Sequence, residues 1–235
     1  MSRAKRKDPR GHATRTALIE AAEELFASQG ISNVTLRQIG KAIGSEHNGV
    51  VFYYFGSKNK LLEAICDYRL PQIENRRAQL LERADECGLG HDMLVLFYIS
   101  WLPILEQKGA KGNPSYAAFL SSLSRSEPTW RSWLIPKVYP ARNEIQRRIN
   151  DLMPAMPEEL FWARQKLGAI IMIEAIQDIT RLNTEASGPD LAKTMFTDAL
   201  GMVVAAYLTS PGSPDSLLDL ETQLDIDCLV PQRPS

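Results

Sequence analysis

Apolar positions recur along this chain at helical spacing, with glycine and proline marking the breaks. Leu18, Ala21, Ala22, Leu25 and Phe26 follow the i, i+3, i+4, i+7, i+8 rhythm of a helix with one buried face, and Gly30 ends the run. Thr35 opens a second helix. Its hydroxyl suits a helix start, Gln38 three residues later completes a capping box, and Leu36, Ile39 and Ile43 form the apolar stripe. Gly44 stops that helix, and Asn48 to Phe55 predicts a short third one, closed by Gly56-Ser57. A long fourth helix buries Leu61, Leu62 and Ile65, and Pro71 is expected to kink or split it.

Beyond the Gly88/Gly90 pair, further helical patterns fall near 91–108, 114–126, 128–151, 157–185 and 189–209. Gly109/Gly112, Pro128, Pro154/Pro157 and Gly188-Pro189 separate them, while Pro103, Pro136 and Pro140 should bend or shorten two of them. No alternating run of useful length points to a strand, so the fold class is all-α. No apolar stretch escapes interruption by Gln, Glu, Asp or Lys, so none is expected to span a bilayer. Residues 1–11 read as a basic, mobile arm. The stretch 211–235 is a tail rich in Pro, Ser and Asp, and its Leu217, Leu218, Leu220, Leu224 and Ile226 leave docking on the body as open as floating.

Charge separates two parts of the chain that periodicity alone does not. The net charge is -1, but residues 1–60 hold ten Lys/Arg against five acids, which leaves the remainder acidic. A basic N-terminal part points to a polyanionic partner. The 3 cysteines, Cys66, Cys87 and Cys228, are far apart and odd in number, which suits reduced thiols and a cytoplasmic protein, and no signal peptide is read at the basic start.

Residues 35–55 place two short helices across a glycine turn, the arrangement of a helix-turn-helix. The second helix of such a unit presents its N-terminal side chains to base edges and packs its other face on the domain, a division that Ser45-Glu46-His47-Asn48 and Val51/Phe55 would serve. The run TRTALIEAAEELFASQGISNVTLRQIGKAIGSEHNGVVFYYFGSKNKLLEAI resembles the N-terminal DNA-binding domain of the TetR family of bacterial transcription regulators. The shared features are a first helix of the form T-R-x-x-[LI]-[IL]-x-A-A-x-x-L-F-x-x-x-G, the T-[LV]-R-x-I-x-x-x-x-G helix and a Y-x-F-x-S-K-x-x-L-L close, over roughly residues 14–65. The chain departs from the commonest family pattern by one extra residue between Gly44 and Phe55, and by Phe52 where many members carry Tyr.

The resemblance implies a domain at 12–58 that binds double-stranded DNA and a helical effector-binding and dimerisation domain at 59–210. Thr35 and Arg37 are then expected to face phosphate, the alternative for Arg37 being a solvated charge. Glu46, His47, Asn48, Gly49 and Val50 form the expected base-reading face: Asn pairs with adenine, His donates to guanine and Val touches a thymine methyl. Their alternative is a plain turn. Tyr53, with Tyr54 as second choice, and Lys58 match phosphate contacts, which fix position without reading sequence.

In the C-terminal two-thirds, the pattern at 157–185 is apolar on more than one side, as for a helix buried on two faces. With 189–209 it makes an expected four-helix homodimer interface, the alternative being a large core. Trp101, Tyr116, Phe119, Trp133 and Glu174 are candidates to line a pocket for a partly apolar small molecule, though aromatics at this spacing also serve as core. No HExxH, GxSxG, GxGxxG or phosphate-loop pattern occurs, and Cys and His do not cluster at metal-ligand spacing, so neither catalysis nor a cofactor is expected. The resulting expectation is a homodimeric repressor released from a palindromic operator by a small effector. A regulator without an effector, and an all-α interaction module, are the alternatives.

Overall fold

Every regular element among the described residues is helical. The structure is a computed structural model and describes residues 9–47, 49–109, 115–126, 139–182 and 189–212. The helices are α1 (Pro9–Gln29), α2 (Leu36–Ala42), α3 (Val50–Phe55), α4 (Lys58–Glu86), α5 (Met93–Leu105), α6 (Ser115–Ser126), α7 (Pro140–Leu152), α8 (Glu158–Leu182) and α9 (Pro189–Leu208), with a single 3-10 turn at Ile31–Asn33.

Local chemistry sets the boundaries of the first elements. Thr35 caps α2 through a complete capping box: its Oγ1 accepts from Gln38 N, and its own backbone N–H donates 2.7 Å to Gln38 Oε1. Gly44 and Gly56 both have φ 74°, a left-handed backbone that other residues rarely adopt, and they release the chain from α2 and α3. Ser57 then caps α4 by accepting from Lys60 N.

Several sequence expectations shift. α1 begins at Pro9, so the helix takes the last three residues of the expected arm, where a proline suits a first turn. α4 runs through Pro71 as one element, so the helix is not split there; Pro71 is exposed while Leu70 and Ile73 beside it stay in the core. α7 begins at Pro140, and residues 128–138, expected to share its helix, lie outside the described residues, as do the arm before Pro9 and the tail from 213. α9 also corrects the expectation that no stretch could span a bilayer, since Asp190–Leu208 is long and apolar enough by length and composition. It nevertheless places Phe196, Ala199, Leu200, Val203 and Tyr207 in the protein core.

Two apolar clusters fill the molecule. The head cluster joins α1, α2, α3 and the first half of α4 around Leu18, Phe26, Ile39, Val51 and Leu61, and it includes Phe119 and Leu123 of α6. The body cluster joins α4, α5, α7, α8 and α9 around Leu96, Ile99, Ile145, Met172 and Val203. Trp101 packs against both. Polar bonds tie α6 to the head at both of its ends. Ser115 Oγ donates to Glu23 Oε1, and Ser122 Oγ accepts 2.9 Å from the N–H of Ile31. Arg69 closes the first tie with two bonds to Glu23, 2.7 and 2.8 Å, in a nearly water-free site.

Candidate DNA-contact surface and cavity

The crossing of α2 and α3 is close because Gly40 has no side chain. A Cβ there would stand 3.0 Å from Val50 Cγ1. Val50, expected among the base-reading residues, is half-buried and turns part of its side chain to this crossing. Val51 and Phe55 anchor the inner face of α3 as expected. The Arg15 guanidinium lies 5.1 Å from the centroid of the Phe55 ring and holds α1 against it from outside.

What remains outward is a compact set. Arg37, Glu46, His47, Gly49, Phe52 and Tyr53 are all exposed, Tyr53 at 83% and Phe52 at 66%. Asn48 lies outside the described residues. Tyr54 is half-buried, its ring edge-on to Tyr53 with centroids 5.2 Å apart, so of the two hydroxyls Tyr53's is the outer one. The exposure of Phe52 was missed in the sequence, where it counted only as a lost hydroxyl. At about 100° per residue, Phe52 and Tyr53 both turn away from the buried direction of Val51.

Two expected phosphate contacts take on structural duties. The Thr35 hydroxyl both accepts from Gln38 N and donates 2.7 Å to Gln38 Oε1, so the cap uses it in both directions. The Lys58 ammonium turns inward, donating to the carbonyls of Ile31 and, at 2.7 Å, Val34, with the Phe26 ring centroid 5.5 Å away. Burial pulls its pKa below the ordinary lysine value. The Ile31 carbonyl also accepts from the Val34 N–H, and the first side chain of α4 is long enough to reach it and the Val34 carbonyl together.

A cavity of about 520 Å³ opens among α4, α5, α6, α7, α8 and α9. Of the expected pocket residues, Trp101 lines it. Tyr116 and Phe119 do not: they stack with centroids 5.9 Å apart in the head cluster, because α6 turns that face to α1. Burial pushes the Tyr116 hydroxyl well above its usual pKa. Glu174 is spent on a bond between helices, accepting from Ser121 Oγ at 2.9 Å and Arg125 Nη1 at 2.8 Å. Trp133 lies outside the described residues.

The cavity's most unusual wall residue escaped the sequence reading. Arg77 is 9% exposed, and its Nε and Nη2 both donate to the Ser100 carbonyl, at 3.2 and 2.6 Å. Burial pulls its pKa down to about 10. The signal was present, because Arg69 and Arg77 stand on the stripe Cys66, Leu70, Ile73, Leu81, Ala84, and periodicity alone marks both as inward-facing.

Residues 18–65, which span α2, α3 and their supports, match the model described as bacterial regulatory proteins, tetR family. The N-terminal segment of this chain belongs to that family. Among curated relatives, the HTH-type transcriptional regulator SrpR of Pseudomonas putida is 38% identical over 61 residues, 26% of this chain and 28% of that protein. The HTH-type transcriptional regulator TtgR, also of Pseudomonas putida, is 33% identical over 73 residues, 31% of this chain and 34% of that one. The chain thus matches about a third or less of these two relatives' length. The structure of SmeT, the repressor of the Stenotrophomonas maltophilia multidrug efflux pump SmeDEF, is similar over 86% of this chain and 96% of its own, with 19% identity and a TM-score of 0.44. The tetR-type segment accounts for the outward set at Arg37, His47 and Tyr53, while the cavity lies wholly outside it.

Proposed function

We propose that the chain is a cytoplasmic, homodimeric DNA-binding repressor of tetR type, released from a palindromic operator when a small molecule occupies its cavity. The observation that carries this reading is the tetR-type helix-turn-helix, with Arg37, His47 and Tyr53 left outside the core while Val51 and Phe55 hold its helix in place. Residues 12–58 act as the reading head and 59–210 as the body. His47, with Asn48 beside it in sequence, reads base edges; Arg37 and Tyr53 grip phosphate.

The dimer is supported by large apolar side chains left in solvent on α8 and α9: Leu167 at 59%, Ile170 at 41%, Met202 at 52% and Leu208 at 49% exposed. Apolar faces of this kind mark contact with another molecule. Two copies meeting there would carry two heads for half-sites ~34–36 Å apart or a multiple of it. The switch is supported by α6. Its Leu120 forms cavity wall, while Ser115 and Ser122 of the same helix are bonded to α1 and to the turn after it. A ligand that prefers one position of α6 would thereby prefer one position of the head.

Selection of binding sites from a random duplex pool by the full chain, followed by sedimentation of the complex, tests this reading. It predicts enrichment of an inverted repeat bound by two copies. Enrichment of no sequence, or binding of a single copy to a site without symmetry, contradicts it.

A further inference from the structure

The chemistry of the cavity is lopsided. Among the described residues its wall holds two arginines, Arg77 and Arg142, and no carboxylate. Arg77 is buried and gives two of its N–H groups to one carbonyl, and it forms no ion pair among the described residues. Glu74, the acid that acts on it from one turn away on α4, forms no ion pair with it: its Oε1 accepts from Ala141 N at 2.6 Å and Arg142 N at 3.3 Å at the start of α7, and its Oε2 is buried without a hydrogen-bond partner among the described residues. An independent observation comes from across the cavity, on α8. Gln165 lines the same space, its Oε1 accepts 3.0 Å from the Tyr207 hydroxyl, and its Nε2 is buried with no hydrogen-bond partner among the described residues. Phe97, Trp101, Ile145 and Phe161 supply apolar wall around these donors.

Buried donors without acceptors cost free energy, and a buried guanidinium costs more. A ligand that brings acceptors and negative charge recovers both, and a carboxylate matches the two-pronged geometry of arginine. We infer that the cavity takes an amphipathic organic acid, its carboxylate held by Arg77 with Arg142 and Gln165, its apolar body against Trp101 and Phe161. This rests on the reading of the cavity as the effector site and specifies the class of effector. A cationic amphiphile would meet two like charges on a wall without a carboxylate among the described residues, and a neutral one would leave the guanidinium without an ion pair.

Calorimetric titration of the full chain with matched probes tests this without DNA. The pairs are 2-naphthoate against 2-naphthamide and decanoate against decanamide, with 2-naphthylmethylamine as the cation. The expected result is that each acid binds roughly tenfold or more tightly than its amide, as for a charge-assisted contact in a buried site, and that the amine is weakest. In Arg77→Met the preference should fall to about threefold or less, with amide binding kept. Should that variant not fold, Arg142→Gln on the exposed rim and Gln165→Leu should each reduce the acid preference several-fold. Amides or amine binding as well as the acids, no probe binding at all, or a preference untouched in every folded variant would overturn the inference. The outcomes separate from those of the repressor reading: a chain that selects an operator but shows no acid preference loses this inference alone. A chain that binds the acids without changing its hold on DNA keeps the site and loses the switch.

Discussion

In the head, Leu18, Phe26, Ile39 and Leu61 are closed to solvent, and the charges inside are matched: Glu23 meets Arg69 in two bonds and Ser115 in a third, and Lys58 meets two carbonyls. In the body, among the described residues, a cavity of about 520 Å³ stands between the helices, buried Arg77 donates to the Ser100 carbonyl and forms no ion pair, and large apolar side chains of α8 and α9 are exposed. Among the described residues the head packs its core without a cavity of this size, while the body combines a cavity with exposed apolar faces. Such a division suits a rigid reader set on a part that responds to other molecules, and α6 joins the two.

The comparison breaks most visibly at the exposed apolar face. Leu167→Asp combined with Met202→Asp should leave each head folded but separate the copies. Affinity for a two-half-site duplex should drop on the order of a hundredfold or more, read by gel shift beside sedimentation of the free protein. In the head, Glu23→Gln removes one partner of a buried ion pair. It should cost about 3–5 kcal/mol and lower the melting temperature by roughly 10 °C in calorimetry. Lys58→Met should cost about 2 kcal/mol in denaturant unfolding, because two carbonyls lose a charged donor, while the salt dependence of DNA binding stays the same. A reduced salt slope with unchanged stability would return Lys58 to the phosphate contact the sequence implied.

Gly40→Ala presses a methyl toward Val50 and should cost about 1 kcal/mol net, since alanine's better helix propensity offsets part of the crowding. Adding Val50→Ala should relieve the crowding, and a double-mutant cycle reads that coupling. The smallest effect concerns pH. Arg147, then Arg148, hold the Glu144 carboxyl down at about 2 on α7. A depressed acid stabilises the fold above its unfolded pKa and loses that contribution as pH falls through the folded one. Chemical unfolding should thus show a modest extra loss between about pH 4.5 and 2 that Glu144→Gln removes.

The sequence made the local signals legible. The Thr35/Gln38 box, the stops at Gly44 and Gly56, and the α1 stripe each depend on residues within a turn of one another. Interactions set by helix crossings were not legible. Val50 and the neighbouring recognition residues look alike in sequence, and only the approach of α3 to Gly40 shows that Val50 shares its side chain with the crossing. Lys58 stands where the resemblance puts a phosphate lysine, yet the carbonyls of Ile31 and Val34 lie within its reach and accept from it. Trp101, Tyr116 and Phe119 share helical spacing, and the packing of α6 on α1 decides which of them meets a cavity. Arg77 could have been read from its stripe, but a charged residue there invites the assumption of a solvated face.

The most direct test of the account is fluorescence anisotropy of the full chain on duplex DNA from its own upstream region, across a range of salt. It should be run beside Arg37→Ala/Tyr53→Ala, whose side chains are outside the core. The account predicts binding whose logarithm falls linearly with the logarithm of salt. The double variant should bind roughly tenfold or more weakly, with a shallower slope and an unchanged melting temperature. Binding insensitive to salt, or equally strong in the double variant, would contradict the assignment of this face to DNA.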